Sequence, residues 1–251
     1  MKRAFDKEQP EKMDRPQPVT PELEKDLANL MALNRYFGSH RLVRRFLAAW
    51  LERDRGYRIL DLATGAADVP RTMIDWARSR DIKLEIDAVD ANVSTLQIAK
   101  GLSAAYPEIR FVSADVLTYD SANTYDLVCC SLALHHFSEE DAVALLRRCR
   151  ELSHRFVLVA DLERSAATTL GIWAVTEFIY SDAMTKSDGR LSARRAFSFD
   201  EMQALAETAG WKHFGHARFL FCRQALWLDE RILGDIPEVA VPVDAGLPCP
   251  T

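Results

Sequence analysis

The chain has 251 residues, 48% of them hydrophobic and 27% charged, which is enough apolar side chain for one sizeable core. A formal net charge of −5 gives no broad basic surface, so no nucleic-acid partner is predicted. Five cysteines, an odd number, argue against a disulfide framework. The polar N-terminus lacks the apolar core of a secretory signal, and no apolar run reaches the about 18 residues of a membrane span. A soluble, cytoplasmic protein is therefore predicted.

The N-terminal region begins with polar, proline-containing sequence, and residues 1–20 are predicted to form a flexible arm. Two helical patterns follow. The first runs from Pro21 to Gly38, and the second is SHRLVRRFLAAWLERD, with apolar residues at helical spacing. Together they make residues 21–54 a predicted helical cap.

Strands and helices then alternate. The candidate strands are YRILDLA, KLEIDAVD, IRFVSAD, YDLVCCSL and RFVLVADL, each nearly continuous in apolar residues, as buried parallel strands are. Strand followed by helix, repeated, predicts an α/β fold with a doubly wound, mostly parallel, Rossmann-like sheet. Residues 55–164 are the predicted nucleotide-binding core.

The last third of the chain does not continue this alternation of strands and helices. Within residues 165–232, predicted to cover the substrate and complete the sheet, SAATTLGIWAVTEFIYSDAM is expected to form one long helix and KSDGRLSARRAF a basic loop. A further helix precedes two strands, WKHFGHARFL and FCRQALWL, which are predicted to add antiparallel to the sheet edge and bring the strand number to seven. An irregular tail is predicted for residues 233–251.

The segment RILDLATGAADVP is a strand that enters a tight turn and then a helix, an arrangement that often binds a nucleotide. A dinucleotide site needs three spaced glycines, whereas this turn has Ala63, Gly65 and then Asp68. A carboxylate at Asp68 would repel a pyrophosphate, which disfavours an NAD-dependent oxidoreductase. Asp68 is instead predicted to cap the helix, and alanine is tolerated in the turn if no positive φ is required there.

Three strand-end acids favour a different ligand. Asp61, Asp90 and Asp115 end the first three strands, and the ends of parallel strands meet at one edge of a sheet. Any one of them alone is more often a solvated acid. Together they suit a cationic ligand that carries a ribose and no phosphate, and S-adenosylmethionine is such a molecule.

At this point the chain, from about residue 34 to 164, resembles the class I S-adenosylmethionine-dependent methyltransferases. Their first motif is acid-x-Gly-x-Gly-x-Gly, which here reads DLATGAA. The resemblance implies that Asp61 holds the methionine ammonium, Asp90 the ribose diol and Asp115 the adenine. The full set of cofactor-binding residues that it implies is Asp61, Ala63, Thr64, Gly65, Asp90, Ala91, Asp115, Val116, Ser131 and Leu132.

Candidate catalytic residues follow the fourth strand in CCSLALHHF. His135 is the predicted general base toward the acceptor and His136 the second choice; the alternative is that one or both histidines only support the helix that follows. Asp161 is predicted to orient such a histidine or to bind substrate, with a salt bridge to Arg164 as the alternative. No metal site is predicted, because the pair in HFGH lacks a nearby cysteine or acid pair.

The acceptor is indicated only by resemblance. LNRYFGSHRLVRRFL resembles the ubiquinone and menaquinone ring methyltransferases, and EKMDRP, CSLALHHF, ADLERS and DGRLSARRAF together resemble small-molecule methyltransferases associated with type III polyketide synthases. These resemblances imply a phenolic or quinone-like small-molecule acceptor. O-methylation is the first expectation, ring C-methylation the second, and a non-catalytic S-adenosylmethionine-binding protein the third. Arginines at 190, 194 and 195 are expected near the pocket mouth or on nearby acids, and no oligomeric state is predicted.

Overall fold

The computed structural model describes residues 2–233, so the predicted tail lies outside the described residues from position 234 onward. The strands are β1 (Gly56–Leu62), β2 (Lys83–Asp90), β3 (Ile109–Ser113), β4 (Tyr125–Ser131), β5 (Ser153–Leu162), β6 (Gly215–Phe219) and β7 (Arg223–Asp229). The α-helices are α1 (Pro21–Tyr36), α2 (Ser39–Trp50), α3 (Asp68–Arg78), α4 (Val93–Leu102), α5 (Glu139–Leu152), α6 (Ala166–Phe178), α7 (Ala183–Arg195) and α8 (Phe199–Thr208).

The seven strands form one sheet in the order β3-β2-β1-β4-β5-β7-β6. Strands β1 to β5 pair in parallel, whereas β7 runs antiparallel to both β5 and β6. The predicted α/β class, the mostly parallel sheet and the antiparallel addition are all confirmed. The chain reverses its direction of progress across the sheet between β1 and β4, and ligands bind at such a switch point in open α/β sheets.

The sheet is covered by helices on both faces. Cys130 of β4 packs into the cluster that includes α5 and α8, while its neighbour Cys129 packs into the cluster that includes α2 and α3. Neighbouring strand side chains point to opposite faces, so a continuously apolar strand needs cover on both. Helix α2 provides such cover, because its apolar residues recur three and four apart. Its buried members are Leu42, Val43, Phe46, Leu47 and Trp50.

The single long helix predicted from Ser165 to Met184 is wrong, since the chain forms two helices, α6 and α7. Asp182 starts the second one. Its carboxylate accepts the backbone N–H groups of Met184 and Thr185 at 2.9 and 3.1 Å, which caps the helix. None of the helices within residues 2–233 has the length and apolarity needed to cross a membrane.

The basic loop predicted in KSDGRLSARRAF is also wrong, because most of this segment belongs to α7. Gly189 suggested a loop, but it lies inside the helix where α7 packs against α6. A Cβ atom at this position would lie 3.3 Å from Cγ2 of Thr176 and 3.7 Å from Cγ2 of Ile172. Glycine therefore serves the close approach of two helices rather than a turn.

Candidate functional site

A cavity of about 690 Å³ lies at the carboxyl ends of the parallel strands. Helix α1, the Phe37 that follows it and helix α6 cover it with apolar side chains, among them Leu30 and Ile172. All the residues predicted to bind a cofactor line this one cavity, and both candidate histidines do so too. The predicted residues on its wall are Asp61, Ala63, Thr64, Gly65, Asp90, Ala91, Asp115, Val116, Ser131, Leu132, His135 and His136.

The turn after β1 is left-handed at three positions. Gly65 has φ +54°, and Ala63 and Ala67 both have φ +56°. The condition under which alanine would be tolerated in this turn, that no positive φ is required, is therefore not met. A left-handed conformation costs a non-glycine residue about 1–2 kcal/mol, so the turn holds strain that the usual glycines would not.

Asp68 does not cap helix α3, in contrast to its predicted role. It is the first residue of that helix, and the N-cap position is Ala67. The Asp68 carboxylate accepts a hydrogen bond from the side-chain amide of Asn34 at 3.1 Å and lies 2.7 Å from Nε2 of His40. It therefore connects α1 and α2 to the start of α3, directly after the turn that follows β1. The local sequence pattern does not reveal this role.

Asp90 joins the first two strand ends. One of its carboxylate oxygens accepts the backbone N–H of Gly65 and the other accepts that of Asn92, both at 2.8 Å. Burial raises the pKa of this carboxyl group despite those hydrogen bonds. Asp90 lines the cavity and each of its oxygens keeps an unused lone pair, which suits a pair of hydroxyl donors.

Asp61 is 2% exposed at the end of β1, and burial raises its pKa to about 7. Asp68 and Asp90 add to this increase through their negative charges. A cation beside Asp61 would lower this pKa, because a positive charge favours the ionised form of the carboxyl group.

Two further features test whether the site fits S-adenosylmethionine. A Cβ atom built on Gly65 would have no protein atom within 4 Å, so open space adjoins the turn where a ligand must approach. The buried hydroxyl oxygen of Ser131 has no hydrogen-bond partner among residues 2–233. The acidic side chains suit the positive charges of S-adenosylmethionine, and the oxygens of Asp90 suit its ribose diol. With the Ser131 hydroxyl, which has no partner within the described residues, they fit this cofactor.

His135 and Asp161 meet beside this cavity. Nδ1 of the histidine lies 2.7 Å from Oδ1 of Asp161, and the His135 backbone N–H donates to Oδ2 at 2.9 Å. Both residues are buried, at 3% and 2% exposure. Burial opposes ionisation, but the charge and hydrogen bond of His135 lower the pKa of Asp161. Asp161 pairs with His135 rather than with Arg164, which instead pairs with Glu201 at 2.7 Å.

His136 has its own carboxylate partner, since its Nδ1 lies 2.7 Å from Asp14. Burial opposes the change, but the charges of Asp14 and Glu11 raise the pKa of His136 to about 10. Oε1 of Glu11 lies 3.8 Å from Nε2 of His135. Glu11, His135 and His136 each bring one ligand atom within 4.8 Å of the others, so this trio is the set that could hold a metal ion within residues 2–233.

Several of the N-terminal residues predicted as a flexible arm line the cavity, among them Glu11, Met13 and Asp14. Glu11 is 3% exposed and accepts a hydrogen bond from the Ser192 hydroxyl at 2.7 Å. The Asn92 side chain donates to the carbonyl of Met13 at 3.0 Å. Glu11 and Asp14 are not among the predicted site residues, although both stand in EKMDRP, one of the segments that carry the resemblance.

The arginines expected at the pocket mouth hold other structure together. Arg190 pairs with Glu177 on the surface. Arg195 is buried and donates to the backbone carbonyls of Asp6 and Gln9, both at 2.6 Å, so it fixes the N-terminal residues. The backbone carbonyl of Arg194 likewise accepts the N–H of Ala4 at 3.0 Å. None of the three arginines lines the described cavity.

The histidines of HFGH take no part in the site. His216 stacks on Phe199 with ring centroids 3.7 Å apart, and its Nε2 lies 3.2 Å from the side-chain oxygen of Gln224. Burial lowers the pKa of His216 to about 4. These contacts belong to the packing of the last strands.

Residues 59–154 match the protein family described as a methyltransferase domain. The matched segment extends from β1 into β5 and includes both histidines of the site and the acids Asp61, Asp90 and Asp115. No curated protein sequence matches the chain significantly.

Several solved structures share the fold at low identity. A candidate O-methyltransferase from Nostoc punctiforme PCC 73102 is 18% identical with a TM-score of 0.59 over 81% of this chain, which spans only 58% of that protein. The plantazolicin methyltransferase BpumL, in complex with a pentazolic desmethylPZN analog and SAH, is 13% identical with a TM-score of 0.63 over 83% of this chain and 91% of its own. The magnesium protoporphyrin IX methyltransferase of Synechocystis PCC 6803, with bound SAH, is 16% identical with a TM-score of 0.54 over 86% and 90%.

Proposed function

We propose that this chain is a class I S-adenosylmethionine-dependent methyltransferase and that it methylates a small phenolic or quinone-like acceptor, preferentially on oxygen. The observation that carries this proposal is the buried pair of His135 and Asp161 beside the cavity that the cofactor acids line. A hydroxyl acceptor needs a group that takes its proton, and a histidine fixed by a carboxylate is such a group.

His135 is the better base of the two histidines. Because the pKa of His136 is about 10, its ring is protonated near neutral pH and has no lone pair to accept a proton. Asp161 binds Nδ1 of His135, which leaves Nε2 as the accepting nitrogen. The carboxylates of Asp161 and Glu11 then stabilise the imidazolium that forms.

The other residues of the cavity would bind the cofactor and the acceptor. S-adenosylmethionine supplies the methyl group, already activated on a sulfonium, so the protein has to position an acceptor and remove its proton. Asp61 would hold the ammonium, Asp90 the ribose diol and Asp115 the adenine. Leucines of α1, the ring of Phe37 directly after it, and apolar side chains of α6 give the cavity the surface that an aromatic acceptor requires.

The proposal is tested by incubating the protein with S-adenosylmethionine labelled in its methyl group and a panel of phenols and quinols. Label on a phenolic oxygen is expected, and label on a ring carbon would instead identify ring C-methylation. Tight cofactor binding without any labelled product across the panel would contradict the proposed enzyme activity and favour a binding protein.

The base assignment is tested with His135→Ala. Turnover is expected to fall by about 100-fold or more, the usual contribution of a general base, while calorimetric affinity for the cofactor stays within about twofold. His154→Gln is the matched control, because His154 is exposed beside Asp126 and outside the cavity. Full activity of His135→Ala would remove His135 from the chemistry.

A further inference from the structure

The cavity contains a buried positive charge. Arg223 stands at the start of β7, lines the cavity and is 6% exposed. Its Nε is buried without a hydrogen-bond partner. Within residues 2–233 its guanidinium makes no hydrogen bond or ion pair. It therefore stands out among the buried polar side chains of the site.

Within the part of the chain that the structure describes, the other buried arginines have hydrogen-bond partners that Arg223 lacks. Arg164 pairs with the Glu201 carboxylate and donates to a backbone carbonyl. Arg195 donates to two backbone carbonyls. Proteins satisfy buried cations in this way because removing an ion from water is costly unless it is paired.

Loss of a proton does not remove the buried charge of Arg223. Burial lowers the pKa of its guanidinium to about 10, so the group stays charged near neutral pH. Asp161 acts on it through its charge, but both carboxylate oxygens of Asp161 already accept hydrogen bonds, from His135 and Leu162. Nε is itself buried, so the four donors on the two terminal nitrogens of the guanidinium are the ones available to a molecule in the cavity.

We propose that Arg223 binds a carboxylate on the methyl acceptor, so that the enzyme acts on aromatic acids that carry a hydroxyl group. This inference rests on the proposed function. The planar fork of a guanidinium matches the two oxygens of a carboxylate and binds them through a pair of charge-assisted hydrogen bonds.

The position of Arg223 assigns the carboxylate to the acceptor. In the sheet Arg223 pairs with Leu162, the residue that follows Asp161. Arg223 therefore lies beside the end of β5, near the catalytic pair, and the charge of Asp161 acts on its guanidinium. The cofactor acids Asp61 and Asp90 end β1 and β2, and β4 and β5 lie between those strands and β7. A carboxylate on Arg223 would therefore hold an acceptor beside His135.

Equilibrium binding to the SAH-loaded protein tests the proposal without turnover. The probes are the three isomers of hydroxybenzoate and the three matching hydroxybenzamides, which lack the negative charge. At least one hydroxybenzoate is expected to bind more tightly than its amide. Arg223→Met should weaken that binding by about 10- to 100-fold and leave the amides within about twofold.

Thermal unfolding of the same variants separates ligand binding from a structural role. Arg223→Met should keep or raise the melting temperature, since it removes a buried unpaired charge, and Arg223→Lys should restore part of the binding. Arg218→Met is the control, because Arg218 on β6 is mostly exposed, pairs with Glu163 and lies outside the cavity.

Three results would overturn the proposal. They are equal binding of the acids and amides to the wild-type protein, equal loss of both in Arg223→Met, and an equal loss of SAH affinity, which would assign the carboxylate partner to the cofactor. Absence of methyl transfer in the labelling experiment would contradict the proposed function alone, because these binding measurements require no reaction.

Discussion

The carboxylate of Asp161 holds His135 twice, through Nδ1 at 2.7 Å and through the backbone N–H at 2.9 Å. The same carboxylate also accepts the N–H of Leu162 at 2.7 Å. Two hydrogen bonds therefore connect the end of β5 to the short helix that carries the histidine after β4, and the third holds the carboxylate against its own strand. This arrangement fixes the ring and selects the tautomer whose Nε2 carries a lone pair.

Asp161→Asn should lower turnover by about 100-fold or more with little change in cofactor affinity. The amide keeps the size of the side chain but lacks the charge that stabilises the imidazolium, and its NH2 group faces hydrogen-bond donors. Single-turnover rates together with calorimetry measure both quantities. Glu163→Gln serves as the control, because Glu163 pairs with Arg218 outside the cavity. Equal rates for the two variants would show that Asp161 only supports the fold.

Asp90→Asn should weaken the affinity for S-adenosylhomocysteine by about 10-fold or more. One side-chain oxygen then becomes an NH2 group that faces the N–H of Gly65 or Asn92, and the ionised acceptor for the ribose diol is lost. Isothermal titration calorimetry measures the change. Asp120→Asn is the control, since Asp120 is 85% exposed beside Arg148. An unchanged dissociation constant would exclude Asp90 as a ribose ligand.

The sequence reveals much of the fold because buried parallel strands are continuous apolar runs, and strand-end acids then converge by topology. The helix break at Asp182 was harder to predict, because the preceding apolar segment and Gly189 suggest a different boundary. Contacts between distant segments leave no periodic signal. Asp14 beside His136 and the unpaired charge of Arg223 are therefore visible only in three dimensions.

Ala63→Gly should raise the stability of the protein by at least about 1 kcal/mol relative to Ala66→Gly. Both substitutions add the same flexibility to the unfolded chain, but only Ala63 has a positive φ, so only this change removes left-handed strain. Ala66 is also buried and loses packing when its methyl group is removed. Denaturant unfolding of the two variants gives the difference, and equal free energies of unfolding would mean that the turn stores no strain at Ala63.

The affinity for S-adenosylhomocysteine should decrease by up to tenfold for each pH unit below 7. The pKa of Asp61 is about 7 in the cofactor-free protein, and a bound ammonium favours the ionised carboxylate, so binding at lower pH must release a proton.

The free energy of unfolding of the cofactor-free protein also depends on pH through Asp61. Its folded pKa lies above the ordinary value of 3.8, so the folded state binds the proton more tightly. The contribution of Asp61 to the free energy of unfolding therefore falls as the pH rises from 3.8 to 7 and is constant above that. Calorimetry and denaturant unfolding from about pH 5.5 to 7.5, below the titration of the ligand's amino group, measure both effects. Asp61→Asn should flatten both profiles, and a variant whose profiles parallel those of the wild-type protein would contradict this assignment.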